Sequence, residues 1–347
     1  MIILFFLSSG LFLGWSLGAN DAANVFGTAV GSRMIKFGTA ATICGLFVIL
    51  GAVVSGAGAA HTLGKLGSIN MLAGAFTVAF SAAVTVLLMT KASLPVSTSQ
   101  AIVGAIIGWN FFSNTPTDYS VLTQIAGTWF LCPVLAMVFA FLLYLITRST
   151  LKKTKTHLLT LDYYTRFGLV IMGAFGSYSL GANNIGNVMG VFIPSSPFTD
   201  LNIAGLDFSS TQQLFLIGGI AIAIGVYTYS KRVMLTVGSS IFELTPINAL
   251  IVITSSSLVL FLFASRGLYN WFVSVGIPPI PLVPVSSSQA VVGAILGIGV
   301  AKGAKNVNFS ILGKISIGWV STPVIAAIIS FIALFFMQNV FQNQVYQ

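Results

Sequence analysis

Ten apolar segments run through this chain, at roughly 1–20, 35–56, 70–90, 94–112, 121–147, 167–193, 210–230, 236–263, 283–301 and 311–337. Each is long enough to cross a hydrocarbon core of about 30 Å as a helix. The links between them are short. The 347 residues carry only 15 Lys or Arg and 6 Asp or Glu. That is too little charge for the polar skin a soluble protein of this size needs. A soluble enzyme, a secreted disulfide scaffold and a disordered tail are excluded. The expected fold class is an all-α integral membrane protein. The first run has no basic n-region and leads straight into a polar motif, so it reads as a permanent span. Cys44 and Cys132 lie in different apolar runs, and no disulfide is expected between them. The net charge of +9 sits in short links and forms no basic domain, so no nucleic-acid partner is expected.

The one polar stretch long enough to divide the chain is 148–166, expected to be a cytoplasmic basic loop, with Arg148, Lys152, Lys153, Lys155, His157 and Arg166. It separates a first half, 1–147, from a second, 167–347. Basic residues favour the cytoplasmic side. With the central stretch inside, Arg33, Lys36, Lys91, Lys231, Arg232, Lys302, Lys305 and Lys314 also fall inside. Only Lys65 and Arg266 fall outside. Both termini then come out external in the cell membrane, and each half crosses five times. An odd number of crossings means that a duplicated half sits inverted relative to its copy. The duplication is visible. Gly18-Ala19-Asn20-Asp21-Ala22-Ala23-Asn24 recurs as Gly181-Ala182-Asn183-Asn184-Ile185-Gly186-Asn187. Pro95-Val96-Ser97-Thr98-Ser99-Gln100-Ala101 recurs as Pro284-Val285-Ser286-Ser287-Ser288-Gln289-Ala290, and Trp129 and Pro133 as Trp319 and Pro323. Inverted repeats of this kind build secondary transporters with the site at the repeat interface.

The polar motifs carry the chemistry. From Met1 to Val30, 30 helical residues would measure about 45 Å, which overshoots the bilayer core. The helix either tilts strongly or breaks at Gly18–Asn24, and the competition of Asn20 and Asp21 for backbone hydrogen bonds favours a break. Asp21 between the amides of Asn20 and Asn24 suits a hard cation such as Na⁺, or a proton; a carboxylate inside a membrane is functional by default. The two Pro-Val-Ser segments read as helix starts. Ser97, Thr98, Ser99 and Gln100, with Ser286, Ser287, Ser288 and Gln289, would surround the free N–H groups of two helix N-termini. Such ends bind anions without Lys or Arg, and two of them suit a tetrahedral oxyanion. His61 and His157 lie in links on opposite sides and suggest neither a metal pair nor a proton relay. No HExxH, P-loop or nucleophile elbow is present, so neither an enzyme nor a nucleotide-driven pump is expected.

These paired motifs, with Glu243-Leu244-Thr245-Pro246, resemble the inorganic phosphate transporter (PiT) family across nearly the whole chain. The resemblance implies an inverted-repeat carrier that imports inorganic phosphate by symport with Na⁺ or H⁺, as a homodimer, with no cofactor beyond the coupling ion. It implies a cation set of Asp21, Asn20, Asn24, Asn183, Asn184, Asn187 and Glu243, with Na⁺ at Asp21, Asn24 and Asn187. The two serine-rich segments would take the anion. The chain departs from the family pattern at Asn184, Val48 and Ile253, where carboxylates are usual, and at Gln100 and Gln289, where His is usual. Three fewer carboxylates leave the coupling ion open. They leave sulfate open as the anion too, on the same scaffold. An anion channel would need no carboxylate, and Asp21 and Glu243 argue against it.

Overall fold

The computed structural model describes residues 2–91, 96–154, 157–203, 206–240, 245–303 and 309–347. Its helices in chain order are α1 (Ile2–Gly31), α2 (Phe37–Ser55), α3 (Ala57–Leu66), α4 (Leu72–Lys91), α5 (Thr98–Ser113), α6 (Tyr119–Lys153) and α7 (Leu158–Met189). There follow α8 (Ser210–Thr228), α9 (Ser230–Ser240), α10 (Pro246–Ala264), α11 (Arg266–Ser274), α12 (Ser287–Ala301) and α13 (Phe309–Asn339). A small antiparallel hairpin pairs Leu201–Ile203 with Leu206–Phe208 before α8. Among the described residues, seven helices are long and apolar enough to cross a membrane.

The helices persist because their polar side chains are satisfied locally. In α4, Thr77, Ser81 and Thr85 each donate to the carbonyl four residues back, at 2.7, 2.7 and 2.8 Å. Hydroxyls bonded this way can sit in an apolar interior, where an unmet polar group is costly. The two longest apolar faces lie on α6 and α13, which expose Phe130, Val134 and Ile146, and Val320, Val324 and Ile328. These faces have the character of a lipid-contacting surface.

Four pairings exchange partners between the halves: α5 packs on α13 and α12 on α6, and α2 packs on α7 and α8 on α1. Within each half, α4 packs on α1 and α10 on α7. Glycines set the closest approaches. A Cβ on Gly104 would strike the Pro323 carbonyl oxygen, and one on Gly293 would strike that of Pro133. One turn on, Gly108 meets Ala327 O and Gly297 meets Met137 O in the same way. The recurring Trp-x-x-x-Pro element of the sequence is thus the surface against which the short helices lie.

Three expectations are corrected. Helix α1 does not break at Gly18–Asn24, and α7 runs unbroken through the second copy. Gly18 is there for contact, since a Cβ would meet the Ile222 carbonyl oxygen, as one on Gly181 would meet that of Val48. Segments 94–112 and 283–301 do not form full-length spanning helices. Helices α5 and α12 have 16 and 15 residues, which is about 24 Å and 22 Å, short of the bilayer core. The stretch 148–166 is not a loop: α6 continues to Lys153 and α7 starts at Leu158. Arg166 donates to Met34 O at 3.0 Å and pairs with Asp162 at 2.7 Å, half-exposed, in the α7 first turns.

Candidate functional site

Both serine-rich segments become helix starts. Ser97 caps α5 by accepting from Gln100 N at 3.4 Å, and Ser286 caps α12 by accepting from Gln289 N at 3.3 Å. Ser97 and Ser286 themselves are extended, and residues 96–97 and 277–286 ahead of the helices are in neither helix nor strand. The two starts touch. Ser99 Oγ donates to Val285 O at 3.2 Å, and Ser288 Oγ donates to Val96 O at 3.1 Å. Each segment therefore bonds the other's main chain through the equivalent serine. The first N–H groups of a helix have no partner within it, so two sets of donors are gathered in one buried place, without a Lys or Arg among the described residues.

The asparagine-rich motifs of α1 and α7 lie directly on these starts. Ser287 Oγ donates to Asp21 Oδ2 at 2.8 Å, and Asn20 Nδ2 donates to Asp21 Oδ1 at 3.1 Å. Asn24 Nδ2 donates to Ser287 Oγ at 3.1 Å. On the other side, Asn187 Nδ2 donates to Ser99 Oγ at 2.8 Å and to Asn184 Oδ1 at 3.0 Å. Asn184 Nδ2 turns back to Leu180 O at 3.1 Å. Asp21 is 3 % exposed. Four buried oxygens in the cluster have no hydrogen-bond partner among the described residues: Thr98 Oγ1, Gln100 Oε1, Gln289 Oε1 and Asn187 Oδ1. Three of these are amide oxygens, which can accept but not donate. An uncompensated buried acceptor costs about 1–3 kcal/mol, so a bound cation or a donor would find it ready.

Asn183 has a different task. Its Oδ1 accepts from Val285 N at 3.0 Å and its Nδ2 donates to Val283 O at 3.4 Å. It pins the segment before α12. Asn183→Leu strands a buried N–H, and its expected cost is about 1–3 kcal/mol, read as a lower melting temperature of the purified protein. An unchanged melting temperature would show that the segment is held by other contacts.

A sequence profile described as the phosphate transporter family matches residues 17–330, with a second match at 282–346. The chain belongs to the phosphate transporter family. A protein of Methanocaldococcus jannaschii that carries the provisional name phosphate permease is 32% identical over 333 residues, covering 96% of this chain and 95% of that protein. A similarly named protein of Pyrococcus abyssi is 25% identical over 403 residues, covering 94% and 96%. The fold is similar to that of a solved structure described as the sodium-dependent phosphate transporter. Its TM-score is 0.77 at 23% identity, covering 97% of this chain and 99% of that one.

In this family member the residues expected at two separate sites form one hydrogen-bonded cluster. Ser97, Thr98, Ser99, Gln100, Ser286, Ser287, Ser288 and Gln289 are together at the crossed starts, with Asp21, Asn20, Asn24, Asn184 and Asn187 against them. Glu243 and Pro95 lie outside the described residues. The main-chain groups bonded at the cluster come not from a break at Gly18–Asn24 but from the segments before α5 and α12, at Val96, Val283 and Val285. The sequence reading missed these valines, because nothing in an apolar side chain announces a carbonyl at work. Pro284, just before the serines, was the available signal.

Proposed function

We propose that the chain is a secondary transporter in the cell membrane that imports inorganic phosphate together with a cation. The N-termini of α5 and α12 hold the anion through free N–H groups and through Ser97, Thr98, Ser99, Ser286, Ser287 and Ser288. Asp21 holds the cation with Asn20, Asn24 and Asn187. The observation that carries this reading is the single hydrogen bond from Ser287 to Asp21. In the absence of a cation, the carboxylate draws the Ser287 hydroxyl toward itself. A cation or proton on Asp21 weakens that hold, and the hydroxyl turns its donor to the anion. Cation and anion binding thus favour each other, which is the coupling a symporter needs.

Na⁺ is the favoured coupling ion. The orphaned oxygens of Asn187, Gln100 and Gln289 are the hard ligands Na⁺ takes, and the structurally similar protein is described as sodium-dependent. The exchanged helix pairings support an inverted repeat of halves 1–147 and 167–347, and the basic residues support external termini. A homodimer is part of the same reading, on the resemblance to the family.

The test is uptake of radiolabelled phosphate and of sulfate into proteoliposomes, with Na⁺ and pH gradients imposed separately. Phosphate uptake driven by a Na⁺ gradient is expected. Sulfate as the preferred anion, or uptake indifferent to both gradients, would overturn the reading. Ser99→Ala and Ser288→Ala are each expected to weaken phosphate affinity roughly 10-fold, because each removes a hydrogen bond that holds the two helix starts together and so displaces their free N–H groups. Cation affinity is expected to change less. An unaltered phosphate KM in both variants would move the anion away from the crossed starts.

A further inference from the structure

We propose that a second site, at the junction of α6 and α10, binds the phosphodiester headgroup of an anionic lipid. It is separate from the transport cluster and does not rest on the transport reading. A cavity of about 290 Å³ opens between the C-terminal turns of α6 and the N-terminus of α10. Arg148 and Lys152 line it, one turn apart on α6. Both are exposed, and neither has a hydrogen-bond or ion-pair partner among the described residues. Lys302 stands nearby, its Nζ 5.8 Å from the centre of the Tyr144 ring that forms one wall.

The floor of the cavity is polar and unmet. Helix α10 begins at Pro246, capped by Thr245, whose Oγ1 accepts from Asn248 N at 3.4 Å. Asn248 is 5 % exposed and lines the cavity, and its amide group has no hydrogen-bond partner among the described residues. Two cations at the rim, a helix N-terminus and a buried free amide together describe a receptor for a phosphate group. The rest of the lining is Thr147 with the apolar Leu151, Ile247 and Ile251. Directly beside the cavity, α6 exposes Leu142, Leu145 and Ile146 along the face of lipid-contacting character. A ligand with a phosphate head and apolar tails fits both surfaces, whereas a free anion uses only the first. Basic pockets between helices at the membrane surface take such lipids.

The comparable junction elsewhere in the fold is filled by the chain itself. Helix α4 packs on α13 as α10 packs on α6. There the last residues fold back: Val345 is buried, and its carbonyl accepts from Trp109 Nε1 at 3.3 Å and lies against Gly74. Gln347 N donates to Asn70 Oδ1 at 3.3 Å. Gly74 is the third residue of α4, as Asn248 is the third of α10. One junction carries its own occupant, and the other offers cations and an open amide.

The experiment titrates the purified full chain in detergent with phosphatidylglycerol and, separately, with phosphatidylcholine, and counts bound lipids by native mass spectrometry. Phosphatidylglycerol is expected to bind at least about tenfold more tightly. The double variant Arg148→Ala/Lys152→Ala is expected to erase that preference, and Asn248→Leu to reduce it. Lys36→Ala, which removes a basic residue at the start of α2, is expected to leave it intact. Gel filtration confirms that each variant is folded. A preference that survives the double variant overturns the site. Displacement of phosphatidylglycerol by millimolar inorganic phosphate overturns the lipid as occupant and makes the pocket a free-anion site.

Discussion

Asp21→Asn is expected to abolish cation-coupled uptake while the protein still folds. Asparagine keeps the shape of the side chain, and its Oδ1 can still accept from Ser287. What is lost is the one carboxylate in the cluster among the described residues. A buried charge and its ion form a pair whose disruption costs on the order of 3 kcal/mol, which is about 100-fold in cation affinity. Among the described residues no Lys or Arg stands in the cluster to take over charge balance, so phosphate binding is expected to fall as well. The measurement is radiolabelled phosphate uptake at varied Na⁺ and pH, with gel filtration to confirm folding. Unchanged cation dependence in a folded Asp21→Asn protein would remove Asp21 from the coupling site.

The second large effect is steric. Gly104→Val and Gly293→Val each put a branched side chain against a carbonyl oxygen of Pro323 or Pro133. Backbone on backbone leaves nothing flexible to give way. Overpacking of this kind costs about 1–3 kcal/mol and can exceed it. Here it also pushes α5 off α13, or α12 off α6, and with them the crossed serines. Both a lower melting temperature and lost uptake are expected from either variant. Gly127→Ala is the control. It lies on α6 with no neighbour close to the added Cβ, so it is expected to be neutral or to stabilise the helix by up to about 1 kcal/mol. Equal behaviour of Gly127→Ala and Gly104→Val would show that close approach is not what these glycines serve.

The all-helical membrane class was legible because apolar length and missing charge admit little else. The helix starts at Ser97 and Ser286 were legible too, because proline followed by hydroxyl residues has few other uses. The continuity of α1 was not. Gly18, Asn20 and Asp21 look like breakers when read along the chain. They are tolerated because their partners come from far away: Ile222 against Gly18, and Ser287 against Asp21 and Asn24. The shortness of α5 and α12 was hidden by the apolar residues flanking them, which read as more helix. The stretch 148–166 misled in the other direction. Its charges suggested a loop, but Lys and Arg are good helix formers, and a helix that outruns the bilayer has water around its last turns.

The crossed serines have one further consequence. Each donates to a main-chain carbonyl, at Val285 or Val96, and not to a side chain. A carbonyl is supplied by every amino acid, so replacing either valine leaves the acceptor in place. The two hydrogen bonds between the helix starts therefore depend on Ser99 and Ser288 and are indifferent to the side chains opposite them. The flanking motifs can differ in charge, as Asp21 and Asn184 do at matching places, without opening this contact.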